Sequence, residues 1–328
     1  MENRSHFEKP QVFAVKHKSD SERMNSQSGG AFALLSDLII EQGGIVYGCV
    51  FDEQFRAIHV RADNISDRNR MRFSKYVQSN MGDVYKSVLK DLEEGRTVLF
   101  SGTSCQVAGI TKYLELLPGK IKGQIYTVDI ICHGVPSPRV LKDFLKWEED
   151  KNKSKIENVI CRNKEKFGWK SHVVTTAFKN GRKYDSRVFP KIFYSHVALR
   201  PGCYKCPYKS IIHPSDITIA DYWGIDNALP GFKDDKGVSL VLVNSSEGAE
   251  LFRGCKDQMV YKETRIEDSM QKPLIEPYDP PINRNAFWED YEILSFDEIA
   301  RKYGNYSLFK DFKWKAKAFL KRRVLKRI

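Results

Sequence analysis

The apolar positions of this chain change period several times, and each change marks an element. Over AFALLSDLIIEQ, Phe32, Leu35, Leu38 and Ile39 recur at helical spacing, with Ser28-Gly29-Gly30 ahead of them and Gly43-Gly44 behind. Strand-like runs follow at Ile45 to Phe51 and at Ala57 to Arg61, and a helix is predicted from Asp83 to Glu94 with Val84, Val88, Leu89 and Leu92 on one face. Twice thereafter a short apolar strand runs into a turn, a cysteine and a helix. The run Thr97 to Phe100 leads to Cys105 and a helix reaching Leu117; the run Ile125 to Ile131 leads to Cys132, His133, Gly134 and a helix from Ser137 to Trp147.

The later part of the chain is patterned differently. Val173 to Phe178, the Asn180-Gly181 turn and a run to Val188 predict a hairpin. Asp216 to Ala220 reads as a strand, and Val238 to Val243 is apolar enough to be expected at the centre of a second sheet. Residues up to Gln27 are polar and expected as an arm, whereas the Pro-rich PLIEPYDPPINRNAF closes the compact part. Strands joined by helices predict an α/β fold, mixed α+β in detail: an open mixed sheet with flanking helices and cysteine-bearing loops at strand carboxyl ends.

Composition narrows the class. The chain of 328 residues is 41% hydrophobic, enough for a full core in one large or two intimate domains. No apolar run reaches the roughly 20 residues that cross a bilayer, and MENRSHFEKPQVF lacks a secretion signal, so a cytoplasmic protein is expected. Of the net charge of +12, the segment Lys310 to Ile328 supplies most, with nine Lys or Arg against one Asp. Phe312, Ala316, Phe319, Leu320, Val324 and Ile328 recur there at helical spacing, which predicts a basic amphipathic C-terminal helix. It suits peripheral contact with the inner membrane face, an acidic partner, or packing on its own domain. Charge concentrated at one end, with no reader motif, argues against nucleic acid as the partner.

The cysteines carry the candidate chemistry. Seven in a long chain do not form a disulfide framework. Cys203 and Cys206 form a Cys-x-x-Cys pair in LRPGCYKC, and both thiolates of such a pair can turn toward one metal centre. Cys105 and Cys132, each just past a strand's carboxyl end, become neighbours along the edge of a parallel sheet and complete a set of four. Cys49, Cys161 and Cys255 lie in apolar runs or at a helix end and read as small buried hydrophobes. By spacing alone the centre is either zinc or an iron-sulfur cluster. Backbone amides at Ser28, Gly29 and Gly30 can cradle a phosphate or simply cap a helix, and Lys75, Tyr76 and Gln78 in SKYVQS can meet a ligand or face solvent.

In order along the chain, SGGAF, GGIVYG, SKYVQS, LFSGTSCQVAG, VDIICHGVPSP, FGW, LRPGCYKC, SDITIADYWGI and DKGVSLVLVN resemble the coenzyme F420 hydrogenase/dehydrogenase beta-subunit family, over residues 10 to 290. The resemblance implies an iron-sulfur flavoprotein oxidoreductase, in which one 4Fe-4S cluster on Cys105, Cys132, Cys203 and Cys206 exchanges electrons with FAD. The substrate it implies is a small organic molecule or the deazaflavin coenzyme F420, with a link to cell-surface polysaccharide biosynthesis. It places Ser28, Gly29, Gly30, Lys75, Tyr76, Gln78 and the turn Ser101, Gly102, Thr103 near the flavin. His133, beside a ligand, is expected to bond a cluster sulfur or the flavin edge, and Asp221 and Trp223 to line the same cleft or simply to sit in the core.

On this reading the domains are an arm over 1–27, a flavin-binding part over 28–118, a cluster-binding part over 119–290 and a helical basic tail over 291–328. Many members of the family begin with a cysteine-rich ferredoxin-like module that this chain lacks, which implies electrons from a separate ferredoxin or other donor protein. Ser104 stands where proline is common. The alternative from a different class is a non-catalytic zinc or iron-sulfur protein anchored to a membrane or a partner by its basic tail.

Overall fold

The repeated strand, cysteine and helix pattern forms the middle of one sheet. A computed structural model describes residues 6–117, 119, 121–307, 309, 313 and 314. In chain order the strands are β1 (His6–His17), β2 (Ile45–Phe51), β3 (Ala57–Ala62), β4 (Val98–Thr103), β5 (Ile125–Ile130), β6 (Ile156–Ile160), β7 (Val174–Phe178), β8 (Lys183–Ser186), β9 (Ile217–Asp221), β10 (Ser239–Ser245) and β11 (Met259–Thr264). The chain divides into two units, one of residues 1–134 and 201–278 and the other of residues 135–200 and 279–328.

The first unit holds the eight-stranded sheet, ordered β11-β1-β10-β9-β5-β4-β2-β3. Its centre is parallel, β2 with β4, β4 with β5 and β5 with β9, and the outer pairings are antiparallel. Alternating side chains serve two cores. Val46, Leu99, Val128 and Ile217 pack on the helices Ala31–Glu41 and Ser246–Gly254, while Ile45, Tyr47, Val98 and Phe100 pack on Val84–Glu93 and Ser104–Glu115. This is the mixed α/β sheet with flanking helices expected from the sequence.

Two expectations need correction. Residues 6–17, placed in an arm, form β1, paired on one side with β10 and on the other with β11. Val12, Ala14 and Val15 are buried, whereas Lys9 and Pro10 at the outer end lie at the surface or partly so and give the segment its polar look. The apolar strand near Val243 does not found a second sheet. As β10 it joins β9 antiparallel, and buried Asp216 accepts hydrogen bonds from Thr127 N (2.7 Å), Thr127 Oγ1 (2.7 Å) and Ser245 Oγ (2.8 Å) and so ties the ends of three strands together.

The second unit carries the antiparallel sheet β6-β7-β8. The expected hairpin is present as β7 and β8 around Gly181 (φ 78°), but its second strand stops at Ser186 and a helix, Val188–Tyr194, takes over. Phe144 and Trp147 of the helix Pro138–Asn152 pack with Phe189 and Phe296. The domain boundaries expected at 118/119 and 290/291 fall inside the first unit and inside the helix Arg284–Ile293. The predicted basic helix lies outside the described residues, apart from Lys313 and Trp314; the Trp314 ring stacks on Phe167.

Candidate functional site

All four candidate ligands belong to the first unit. Cys105 opens the helix Ser104–Glu115, whose N-cap is Thr103. A reciprocal capping box, with Thr103 N donating to Gln106 Oε1 at 3.0 Å, fixes that turn, and Thr103 Oγ1 lies 3.2 Å from Cys105 Sγ. Cys132 follows β5, where Gly134 N donates to its Sγ at 3.4 Å. Cys203 lies in the short 3-10 turn Pro201–Lys205, with Cys206 just beyond it.

Electrostatics show that the three loops converge. Burial pushes the Cys132 thiol up to about 11; Lys209 pulls it down, and Cys203 and Cys105 push it further up. Cys206 is likewise raised by burial, lowered by Lys209 and raised by Cys105 and Cys203. Lys209 is itself buried and donates to the Cys132 carbonyl. Its charge and the Gly134 amide both favour thiolate over thiol. Among the described residues, no group of three or more His, Cys, Asp or Glu side chains is drawn close enough to hold a single metal ion. The other cysteines stand apart from this convergence. Cys255 Sγ donates to Leu34 O (3.5 Å) and Leu251 O (3.4 Å) with its thiol pushed up to about 12, Cys161 is buried in the second unit, and Cys49 lies in β2.

The residues singled out for a flavin occupy several settings. Ser28 Oγ donates to Val238 O (2.7 Å) and Gly29 N to Ser239 Oγ (2.9 Å), so this pair is engaged with the β10 end. Gly30, at φ 96°, opens the helix Ala31–Glu41 with no side-chain cap. Lys75 Nζ donates to the carbonyls of Arg70, Arg72 and Phe73 and so holds its own loop together. Tyr76 takes a positive φ of 47°, and Gln78 Oε1 is buried without a hydrogen-bond partner. This loop is tied to the Ser101, Gly102, Thr103 turn. Gln106 Nε2 donates to Ser79 Oγ (2.8 Å), Ser79 Oγ lies 2.8 Å from His59 Nδ1, and His59 Nε2 lies 2.9 Å from Ser101 O. His133 Nδ1 lies 3.3 Å from Tyr278 Oη, the rings 4.4 Å apart. Asp221 ends β9 opposite Ser239, and its carbonyl accepts from Trp223 N (3.1 Å).

Three residues near these loops were missed by sequence reasoning. His59 forms the bridge just described. Asp129, in β5, accepts from Ser215 Oγ (2.8 Å) and faces buried His213 Nδ1 at 2.7 Å, beside Ser104. The available signal was a carboxylate inside the apolar run TVDII, which must find a partner when buried.

The family model for the C terminus of the coenzyme F420 hydrogenase/dehydrogenase beta subunit matches residues 95–269, a span that includes all four of these cysteines. The chain belongs to this family. Membership in the coenzyme F420 hydrogenase/dehydrogenase beta-subunit family places it among oxidoreductase-related proteins. In fold the chain is similar to a chain of the F420-reducing NiFe hydrogenase complex from Methanosarcina barkeri, a structure determined with xenon derivatization. The two are 18% identical with a TM-score of 0.53, over 80% of this chain and 85% of that one. Comparison with curated proteins found no match. No helix of the described residues is long and apolar enough to cross a membrane.

Proposed function

We propose that this chain is an iron-sulfur flavoprotein oxidoreductase that passes electrons between a 4Fe-4S cluster, FAD and a small organic or deazaflavin substrate. The observation that carries the reading is the convergence of Cys105, Cys132, Cys203 and Cys206 within the span matched by the family model. A cluster is larger than an ion, so its thiolates stand farther apart. Four thiolates gathered from three loops are the donor set such a cluster takes. When bound, the cluster supplies one-electron exchange and the flavin hydride exchange.

The chain's own residues do the positioning. The Thr103 and Gln106 box holds Cys105 at its helix start, while Lys209 and the Gly134 amide offset the negative charge of gathered thiolates. Gly30, Tyr76, Gln78 and the Ser101 to Thr103 turn are the residues we assign to the flavin, with His133 and Asp221 at the edge of the site. Buried Gln78 Oε1, without a partner, fits a ligand that brings a donor. The hydrogenase complex that shares this fold supports a protein partner as electron donor, in keeping with a separate ferredoxin.

Anaerobic purification with iron, sulfide and flavin quantification tests the reading. Roughly four iron and four sulfide per chain are expected, with one FAD. Cys203→Ala should lose the iron, and Cys255→Ala should keep it. Stoichiometric zinc with no flavin would overturn the proposal in favour of a binding protein.

A further inference from the structure

We infer that the first unit contains a buried site for a phosphate-class anion, built by Arg68 and Arg72. Arg68 belongs to the helix Ile65–Asn69, Arg72 to the loop after it, and Gln27 to the segment leading into Ala31–Glu41. Both arginines lie in the interior, 1% and 8% exposed. Each spends one nitrogen on a carboxylate, Arg68 Nη2 on Asp37 and Arg72 Nη2 on Glu22. Further donors are unused: Arg68 Nε and Nη1 and Arg72 Nε are buried without a hydrogen-bond partner, as are Gln27 Nε2 and Oε1 in the segment before Gly30.

The two arginines share one neighbourhood. His17, Glu22, Arg23, Arg68 and Arg72 interact electrostatically, and His17 packs where a side chain on Gly30 would project, 2.9 Å from its Cβ. Gly30 starts a helix of 11 residues with no side-chain cap, so the positive end of that helix adds to the same field. Arg23 is held by Asp234 and by Gly237 O and helps to frame the site. Burying guanidinium donors without acceptors is strongly unfavourable. The carboxylates close by already occupy one nitrogen of each arginine, so what completes the set is an external group rich in acceptor oxygens. The planar, paired donors of arginine match the oxygens of phosphate or diphosphate.

The anion has two sources, a free phosphate species or the diphosphate of a nucleotide cofactor. In the second case the inference deepens the flavin reading above and rests on it. Inorganic pyrophosphate is the probe, applied to the full chain as purified, in the wild type and in the Arg68→Met/Arg72→Met double variant, with iron and flavin read separately. In the wild type, pyrophosphate should displace bound flavin, or raise the melting temperature if no flavin is bound, beyond sodium chloride of equal ionic strength. In the double variant its affinity should fall more than about tenfold while iron is retained.

Pyrophosphate acting equally on both proteins, or on neither, overturns the inference. If pyrophosphate binds at the arginines and neither FAD nor FMN does, the anion is free phosphate and the flavin reading fails alone. If the double variant loses pyrophosphate affinity but binds FAD as the wild type does, the anion is a free phosphate species and the flavin reading stands. Should the double variant not fold, Arg68→Lys and the wild-type competition between pyrophosphate and FAD decide it.

Discussion

His59 occupies the middle of a hydrogen-bond chain that settles its protonation. Ser101 O can only accept, so Nε2 carries the proton and Nδ1 takes the Ser79 hydroxyl. Ser79 in turn accepts from Gln106, and a second proton on the ring would take from the Ser79 hydroxyl the acceptor it donates to. Burial is the larger cause, and the ring is held down to about 4 from its ordinary 6.5. Below pH 6.5 the unfolded chain therefore binds a proton that the folded chain refuses. Stability should fall as pH drops from 6.5 toward 4 and level off below, with His59 accounting for about 3 kcal/mol. Denaturant melts across that window should show the slope in the wild type and a flatter one in His59→Gln. An equal slope in both would show that other groups dominate the acid response.

Among elements, the paired ends of β1 and β10, Val15 and Ser239, close tightly on Gly29. A Cβ there would lie 2.2 Å from Val15 O and 2.5 Å from Ser239 N, both backbone atoms that cannot swing away. Gly29→Ala is expected to cost about 3 kcal/mol, read by urea denaturation. Gly202, beside Cys203, has open space around its missing side chain, and Gly202→Ala should stay within about 0.5 kcal/mol. A small loss for Gly29→Ala would mean that the two strands can part locally. The contrast also explains what was legible. Period and turn chemistry announced β2, β4, β5 and their helices, and placed Cys105 and Cys132 after parallel strands. They could not announce β1, whose charged outer half hides the run VFAV, nor assign β10 to its sheet, because its antiparallel join to β1 links residues far apart in the chain and leaves no local mark. Similarly, SKYVQS reads as a ligand loop, but only the fold shows Lys75 turned onto carbonyls of its own loop. Asp129 and His213 meet across 84 positions, a distance no motif spans.

On the scale of the whole molecule, the first unit is discontinuous: its early and late segments form one sheet, with residues 135–200 of the second unit between them. Of the described strands β1 is made first, yet both of its neighbours, β10 and β11, are made last. Val12 waits for its partner Leu242, about 230 residues later, which at synthesis speeds of roughly 5–20 residues per second is on the order of 10 to 50 seconds. Throughout translation, then, an apolar strand stands without its partners and is a natural client for a chaperone that binds nascent chains. Ribosome-bound chains arrested before Ser239 emerges should be cleaved by protease within β1, and chains arrested after Tyr278 emerges should be protected. Protection at the earlier length would mean that β1 finds a temporary partner before its own neighbours exist.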